Sequence, residues 1–370
     1  MASSTREWAG TPLMQACTIV ARNYLAQARV LACSYQRWHP GERLAVLLLD
    51  DVDEAITLDD DAIEVIRPRD VGISDLDFHQ MAAIYRLTEL ATAVKPWLLR
   101  ALLRRGASAV VYLDPDIEVY ADLAYLGPLA QEQVMLLTPH LGAPLPRDGR
   151  EPREENFLHA GVFNLGFIAV SERARPFLDW WADRLRWDCL DAVDRGLFVD
   201  QRWVDLAVGI FPHAIFDDVS VNVAYWNLHE RRIARAGDAF VVNGEPLRAF
   251  HFTGFDPANP TRLTRHLPPG SRVEDVTTPA LVDLCRQYAD HLMRHDYAAC
   301  SATSYAFDQA GSVTWEPQLR RAYRDALLTG DPDCPDDPFA SNQRDALATW
   351  ATGARRRLVR ARVRRALRRG

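Results

Sequence analysis

The chain has one lysine, Lys95, although lysine and arginine together number 43. A coding bias toward arginine accounts for most of that imbalance. The one surviving compact ammonium still marks a position to follow, because lysine and arginine are not interchangeable where a point charge is wanted. Six cysteines (Cys17, Cys33, Cys189, Cys285, Cys300, Cys334) form no C-x-x-C pair and no zinc spacing. They read as buried small hydrophobes in a reducing compartment. No basic stretch followed by an apolar segment opens the chain, and no run of about 18 apolar residues occurs. The expectation is a cytosolic protein, or one peripheral at a membrane. Dinucleotide (G-x-G-x-x-G), P-loop, nucleophile-elbow and H-E-x-x-H motifs are also missing, which removes the chemistries they carry.

Acid is plentiful and unevenly opposed. Nine arginines fall between Arg355 and Arg369, with no acid among them; the remaining 34 basic residues face 50 acids, a body charge of −16. An acidic body argues against a nucleic-acid surface outside the tail. In the tail, Leu358, Val359, Val363, Ala366 and Leu367 fall near helical spacing. Such a basic amphipathic helix can lie on an anionic membrane, dock on the acidic body, or remain a solubilising tail.

With 370 residues, 48% of them hydrophobic, the chain can bury a large core. Ala16 to Val20 reads as a strand, Tyr24 to Trp38 as a helix stopped by His39-Pro40-Gly41, and Leu44 to Leu49 as a buried strand closed by Asp50-Asp51. This order indicates a parallel α/β sheet. A long helix is predicted from His79 to Arg105, broken near Pro96. Ala107 to Leu113, Val134 to Thr138 and Gly161 to Val170 read as further strands, and Ser171 to Arg186 as a helix. After Leu267 a Pro-Pro-Gly linker leads into helical segments.

The strongest chemical feature is Asp114-Pro115-Asp116 directly after the apolar run ending at Leu113. In open α/β sheets ligands bind beyond the carboxyl ends of strands. Two carboxylates there can hold a divalent cation that bridges a diphosphate. A polar turn is the alternative. His251, between apolar neighbours, is either structural or a third, imidazole ligand for a Mn²⁺-like ion. Asp200-Gln201 reads as a helix cap or a polar pair at a site. Arg86 and Lys95 can each meet diphosphate oxygens. Nine residues apart, they would face opposite sides of one straight helix, so a loop between them is required. Asn164, followed by Gly166, offers an amide for sugar hydroxyls beside a backbone open to close approach, or a turn.

Taken in order, these pieces resemble the retaining GT-A glycosyltransferases around glycogenin and the lipopolysaccharide α-galactosyltransferases of bacterial polysaccharide type. The resemblance runs from about Ala16 to Pro257 and rests on order and spacing. It takes in Asn23 and Tyr24 after the first strand, Arg86 and Lys95, then Val111 to Asp116, Phe163 to Gly166, Asp200-Gln201 and His251 to Gly254. It implies a Rossmann-like, mostly parallel sheet flanked by helices, with Asp114, Asp116 and His251 binding Mn²⁺ (or Mg²⁺). It further implies Arg86, Lys95 and Asn164 near the diphosphate and donor sugar, and Asp200 or Gln201, with Lys95, in catalysis. Thr18, Ala21, Asn23 and Tyr24 would cradle the nucleoside. The family's Lys-Pro pair after the late histidine is missing; the stretch reads Phe255-Asp256-Pro257, leaving Arg262 or Arg265 as substitutes.

The expected protein is therefore a transferase with a catalytic domain at 1–265, a helical region at 266–350 and a basic tail helix at 351–370. It would move a sugar from a nucleoside diphosphate sugar, UDP-linked by preference, to a hydroxyl on a glycan, a lipid-linked carrier or a small molecule. Asn222 to Asn227 would face that acceptor or pack as an aromatic core segment. The rivals are a sugar nucleotidyltransferase, which would want a glycine-rich loop where Ala21-Arg22-Asn23-Tyr24 stands, and a non-catalytic sugar-binding scaffold.

Overall fold

A computed structural model describes residues 14–50 and 61–367, with side chains as far as Arg364. Asp51 and the last tail arginines, Arg368 and Arg369, lie outside these, as do the side chains of Ala366 and Leu367. The sheet is built from β1 (Met14–Val20), β2 (Leu44–Leu48), β3 (Ile63–Ile66), β4 (Ala109–Leu113), β6 (Met135–Pro139) and β7 (Phe163–Ser171), with Ala214–Ile215 at one edge. The short β5 (Ile117–Val119) leaves it just after β4. Across the sheet the order is Ala214–Ile215, β6, β7, β4, β1, β2, β3. Every pairing is parallel except those of β7, which runs antiparallel to both neighbours. The mostly parallel α/β architecture expected from the sequence is the one observed. β4 and β7 are buried along their whole length, which is why their sequences are near-continuous apolar runs rather than alternating ones.

Helices cover both faces: α1 (Leu25–Trp38), α2 (Asp75–Ile84), α3 (Leu87–Ala93), α4 (Lys95–Arg104), α5 (Leu126–Gln133), α6 (Glu154–Ala160), α7 (Arg175–Asp188) and α8 (Gln201–Ala207). The single helix predicted from His79 to Arg105 is thus three. The chain is extended at Tyr85 and Arg86, and Pro96 sits in the first turn of α4. There a missing N–H costs nothing, so the break expected near Pro96 is the boundary between α3 and α4, and the opening at Tyr85 and Arg86 is an additional one. The predicted cysteine burial holds for Cys17, Cys189, Cys285 and Cys334, whereas Cys33 is exposed and Cys300 half-buried.

Beyond Leu267 come α9 (Val273–Val276), α10 (Pro279–Arg294), α11 (Tyr297–Ser301), α12 (Pro317–Thr329) and α13 (Arg344–Leu367). α10 stacks Tyr288 on Phe252, ring centroids 3.8 Å apart. Trp315, Leu319, Tyr323, Leu347 and Trp350 join the apolar core shared by α2, α3, α4 and α7. α13 runs unbroken across residues 350 and 351, from the buried Ala351 and Ala354 to the exposed Val359 and Val363. Arg355 bonds Glu316 at 2.9 Å and Arg357 lies 3.9 Å from Asp331. These tail arginines dock on the acidic body. Among the described residues no helix is long and apolar enough to cross a membrane.

Candidate active site

β4 delivers Asp114 to the carboxyl edge of the sheet, where its N–H donates to Gly166 of the adjacent β7 at 2.8 Å. The chain then turns through Pro115 and Asp116 into β5, which pairs antiparallel with Ala249–His251 so that His251 stands opposite Ile117. This small ribbon puts His251 beside residues far away in sequence. Its Nε2 lies 3.0 Å from Asp116 Oδ1 and 3.7 Å from Asp114 Oδ2. One ligand atom from each of the three falls within 4.8 Å of the others.

A chain of hydrogen bonds fixes the imidazole. The Gly166 N–H donates to Asn164 Oδ1 at 3.1 Å, which orients that amide. Asn222 Nδ2 donates to the same oxygen at 3.0 Å, so Asn222 Oδ1 is turned to His251 Nδ1, 3.0 Å away. His251 Nδ1 is therefore the donor, and in a neutral ring the Nε2 lone pair points at carboxylate oxygens. Lone pair against anion is unfavourable unless a proton or a cation stands between them. Two hard oxygens, an imidazole nitrogen and an oriented partner for the far ring nitrogen are the donor set and support of a divalent metal site. The residues fit a divalent cation.

Gly166 is required by space. A Cβ there would stand 2.4 Å from His251 Cε1 and 2.8 Å from both Asn164 Oδ1 and Asp114 Oδ2, so any side chain would displace the cluster itself.

Without a metal, the proton takes its place. Burial would lower the His251 pKa, but Asp116, by charge and hydrogen bond, and Asp114 outweigh it and hold the imidazole above its ordinary value of 6.5. The folded state then binds that proton more tightly than the unfolded chain. The contribution is fully present below about pH 6.5 and is lost as pH rises through the higher folded pKa. Metal-free protein is expected to unfold at lower urea concentration as pH rises through that window, and His251→Gln should flatten the trend. Equal slopes for the two proteins would refute this account of His251.

Lys95 enters from the first turn of α4. Its Nζ lies 2.9 Å from Asp200 Oδ2 and 3.8 Å from Asp114 Oδ1, donates to Leu165 O at 2.8 Å, and sits 4.5 Å above the Tyr112 ring. Lys95 and Asp200 are each about 1% exposed. Burial opposes the ammonium, but Asp200 and Asp114 more than offset it and raise its pKa. Burial raises the Asp200 pKa, against the pull of Lys95. The Tyr112 hydroxyl donates to Asp114 Oδ1 at 2.7 Å. Gln201 spends its amide on structure: Nε2 donates to Ala160 O at 3.0 Å, and Oε1 accepts from Leu165 N–H at 3.1 Å.

One cleft of about 540 Å³ opens over this cluster. Its walls include Arg86, Lys95, Asp114, Asn164, Asp200, Gln201 and His251. No loop separates Arg86 from Lys95: Arg86 sits extended before α3, a one-residue turn at Val94 leads from α3 into α4, and both side chains reach the cleft. Arg86 is exposed and bonds Asp191 at 2.9 Å. The expected nucleoside cradle lies beside the cleft, at the carboxyl end of β1. Thr18 is fully buried with an unpartnered hydroxyl, Ala21 is buried, and Asn23 and Tyr24 are half-buried. Burial, then the Asp116 charge, pushes the Tyr24 pKa up to about 12. Arg262 is committed to the carbonyls of Thr264 and Leu267; Arg265 is the arginine whose charge reaches Tyr24.

Sequence reasoning did not find Asn222 as the support of His251, nor His140. His140 donates from Nδ1 to Val162 O at 3.3 Å and faces the Asn164 amide through Nε2 at 3.3 Å. Burial pushes its pKa down to about 4, so it stays neutral. Trp226 packs edge-on against both His140 and His251 at 5.3 Å. Tyr225 and Trp226, from the aromatic stretch singled out in the sequence, line the cleft.

No family model matches this chain. The sequence is 22% identical over 253 residues to the uncharacterised protein YfnF of Bacillus subtilis (strain 168), spanning 65% of this chain and 80% of that one. Among solved structures it is similar to the galactosyltransferase LgtC in complex with donor and acceptor sugar analogues (15% identity, 76% of this chain and 96% of that chain, TM-score 0.44). It is also similar to GlyE of Streptococcus pneumoniae TIGR4 (15%, 78% and 65%, TM-score 0.41). A third is a glycosyltransferase involved in glycosylation of the major capsid of PBCV-1 (12%, 67% and 96%, TM-score 0.39). All three solved structures carry the name of glycosyltransferases.

Proposed function

We propose that this protein is a metal-dependent glycosyltransferase that moves a sugar from a nucleoside diphosphate sugar to a hydroxyl acceptor, with retention. The observation that carries the reading is the meeting, at the carboxyl edge of the sheet, of the Asp114–Asp116–His251 cluster with a cleft lined by Asp114, His251 and the buried Lys95–Asp200 pair. A cation held by the three ligands supplies charge neutralisation for a departing diphosphate.

The chain's own groups divide the remaining work. Lys95 brings a buried positive charge to within 3.8 Å of Asp114, where it stabilises negative charge developing on a leaving diphosphate. Fixed charges of this kind are usually the largest contribution in such sites. Arg86 and Arg265 offer further cationic contacts to that group. Asn164, its amide held by Gly166, Asn222 and His140, shapes the wall that faces the donor sugar, and Asp200 presents its carboxylate to the reactive face. Gln201 acts by holding α6 and β7 in place through its backbone bonds. Tyr24, Asn23 and the end of β1 receive the nucleoside. Tyr225 and Trp226 give the acceptor an aromatic wall on which a sugar face can stack.

Screening UDP-, GDP- and dTDP-sugars with Mn²⁺ for diphosphate release tests the activity. UDP-sugars are expected to be turned over, and silence across the panel with every class of acceptor sinks the reading. The stereochemistry is read by NMR of the product. Its anomeric configuration should equal that of the donor, and an inverted product would make Asp200 a general base or a structural residue.

A further inference from the structure

The donor cleft is bordered on one side by two connecting segments, the first built around the short helix α3 and the second holding only two-residue strands and one tight helical turn between α7 and α8. One, residues 84–95, carries Arg86 and Lys95; the other, residues 187–201, carries Asp191 and Asp200. Glu89 joins them. It is completely buried and lines the cleft. One of its oxygens accepts the Arg86 N–H at 3.0 Å and the other the Asp191 N–H at 2.9 Å. A buried carboxylate holding two backbone amides needs a counter-charge. Arg86 approaches it only to 3.7 Å. The cation that closes on both oxygens comes from α12, some 230 residues later: Arg321 forks onto Glu89 and donates to Ile84 O at 3.4 Å.

Two neighbours on α12 act in parallel. Arg320, 1% exposed, donates to Ala82 O at 2.6 Å and Tyr85 O at 2.8 Å. It satisfies carbonyls left open at the end of α2, where a cation also suits the helix dipole. Arg324 donates to Trp187 O at 2.7 Å and pairs with Asp188, closing the end of α7. The three arginines thus pin both strips of chain where each leaves its helix. Tyr85 stitches the strips together, its hydroxyl donating to Leu185 O at 2.8 Å and accepting from Cys189 N–H at 3.1 Å.

We infer that α12 is a clamp for the donor cleft, and that Arg321 is a positioning residue acting through Glu89 on Arg86 and the Asp191–Asp200 segment. The inference rests on the reading of this cleft as the donor site. Arg321 touches no substrate in this scheme. It fixes the geometry in which Arg86, Lys95 and Asp200 meet the donor, and small misplacements in such sites are costly in rate.

The test compares Arg321→Met and Arg321→Lys with Leu347→Ala, a control that opens the fully buried core of α13 outside the Glu89 network. Three quantities are read on the full chain: hydrogen exchange of the Arg86 and Asp191 amides, affinity for UDP with Mn²⁺ by calorimetry, and melting temperature. Arg321→Met is expected to speed exchange at both amides and to weaken UDP binding by about tenfold or more. Arg321→Lys, which keeps the charge and loses the fork, should recover part of both effects. Should methionine prevent folding, the lysine variant decides alone, through faster exchange and weaker binding at a near-unchanged melting temperature. Leu347→Ala should lower the melting temperature and leave exchange and affinity as in the natural protein. Natural exchange rates in the Arg321 variants, or equal effects from Leu347→Ala at equal destabilisation, overturn the clamp. If the natural protein binds no UDP, the nucleotide reading fails while the exchange comparison still decides the clamp.

Discussion

Asp116→Asn is expected to lower both Mn²⁺ affinity and turnover by at least tenfold, a loss of about 1.4 kcal/mol or more. Asp116 is the carboxylate nearest His251, at 3.0 Å, and its own backbone carbonyl accepts the Phe252 N–H at 2.8 Å. The substitution therefore keeps the turn and removes only the charge. An amide oxygen is a weaker ligand for a hard cation than a carboxylate. The fold should survive, because no buried counter-charge depends on Asp116 except the imidazolium of His251. Manganese titration by calorimetry and initial rates on the same preparation make the measurement. A folded Asp116→Asn protein with natural affinity and rate would remove the metal assignment and, with it, the reading of the cleft.

How far the sequence could see is clearest at this cluster. Asp114 and Asp116 were legible because an all-apolar strand running into two acids leaves few places to put them other than a sheet edge. Lys95 stood out as the only lysine. His251 was visible only as one choice of two, since its meeting with Asp116 depends on β5 pairing with a strand 130 residues later. Asn222 was singled out only as the start of an aromatic stretch, and its role beneath His251 left no signal. Its backbone takes φ +53° and its amide acts through contacts with Asn164 and His251 that no local pattern encodes. The unforeseen second break in the predicted helix has the same origin. Pro96 is the local cue for the break between α3 and α4, but the chain also opens at Tyr85 and Arg86, where Arg320 and Arg321 from α12 take up the carbonyls of Ala82, Tyr85 and Ile84. Local propensity says where a helix can stop, and distant partners decide where it does.

Lys95→Met is expected to cost roughly 3–5 kcal/mol of stability and to reduce turnover by at least a hundredfold, about 2.7 kcal/mol. The two effects have different origins and can be separated. Stability falls because Asp200, 1% exposed, loses the cation beside its Oδ2, an oxygen that has the ammonium at 2.9 Å but no aligned hydrogen bond among the described residues. Leu165 O loses its donor as well. Turnover falls because the positive charge that faces Asp114 across 3.8 Å is gone. Replacing both members of a buried ion pair by apolar groups is often close to neutral. The double variant Lys95→Met/Asp200→Leu should therefore regain most of the lost stability while remaining as slow as the single one. Urea unfolding and initial rates on the natural protein and the single and double variants give the comparison. If turnover returns with stability in the double variant, the pair is a structural element of the cleft wall and the chemistry belongs to other residues. If stability returns and turnover does not, the charge of Lys95 and the carboxylate of Asp200 act on the reaction itself.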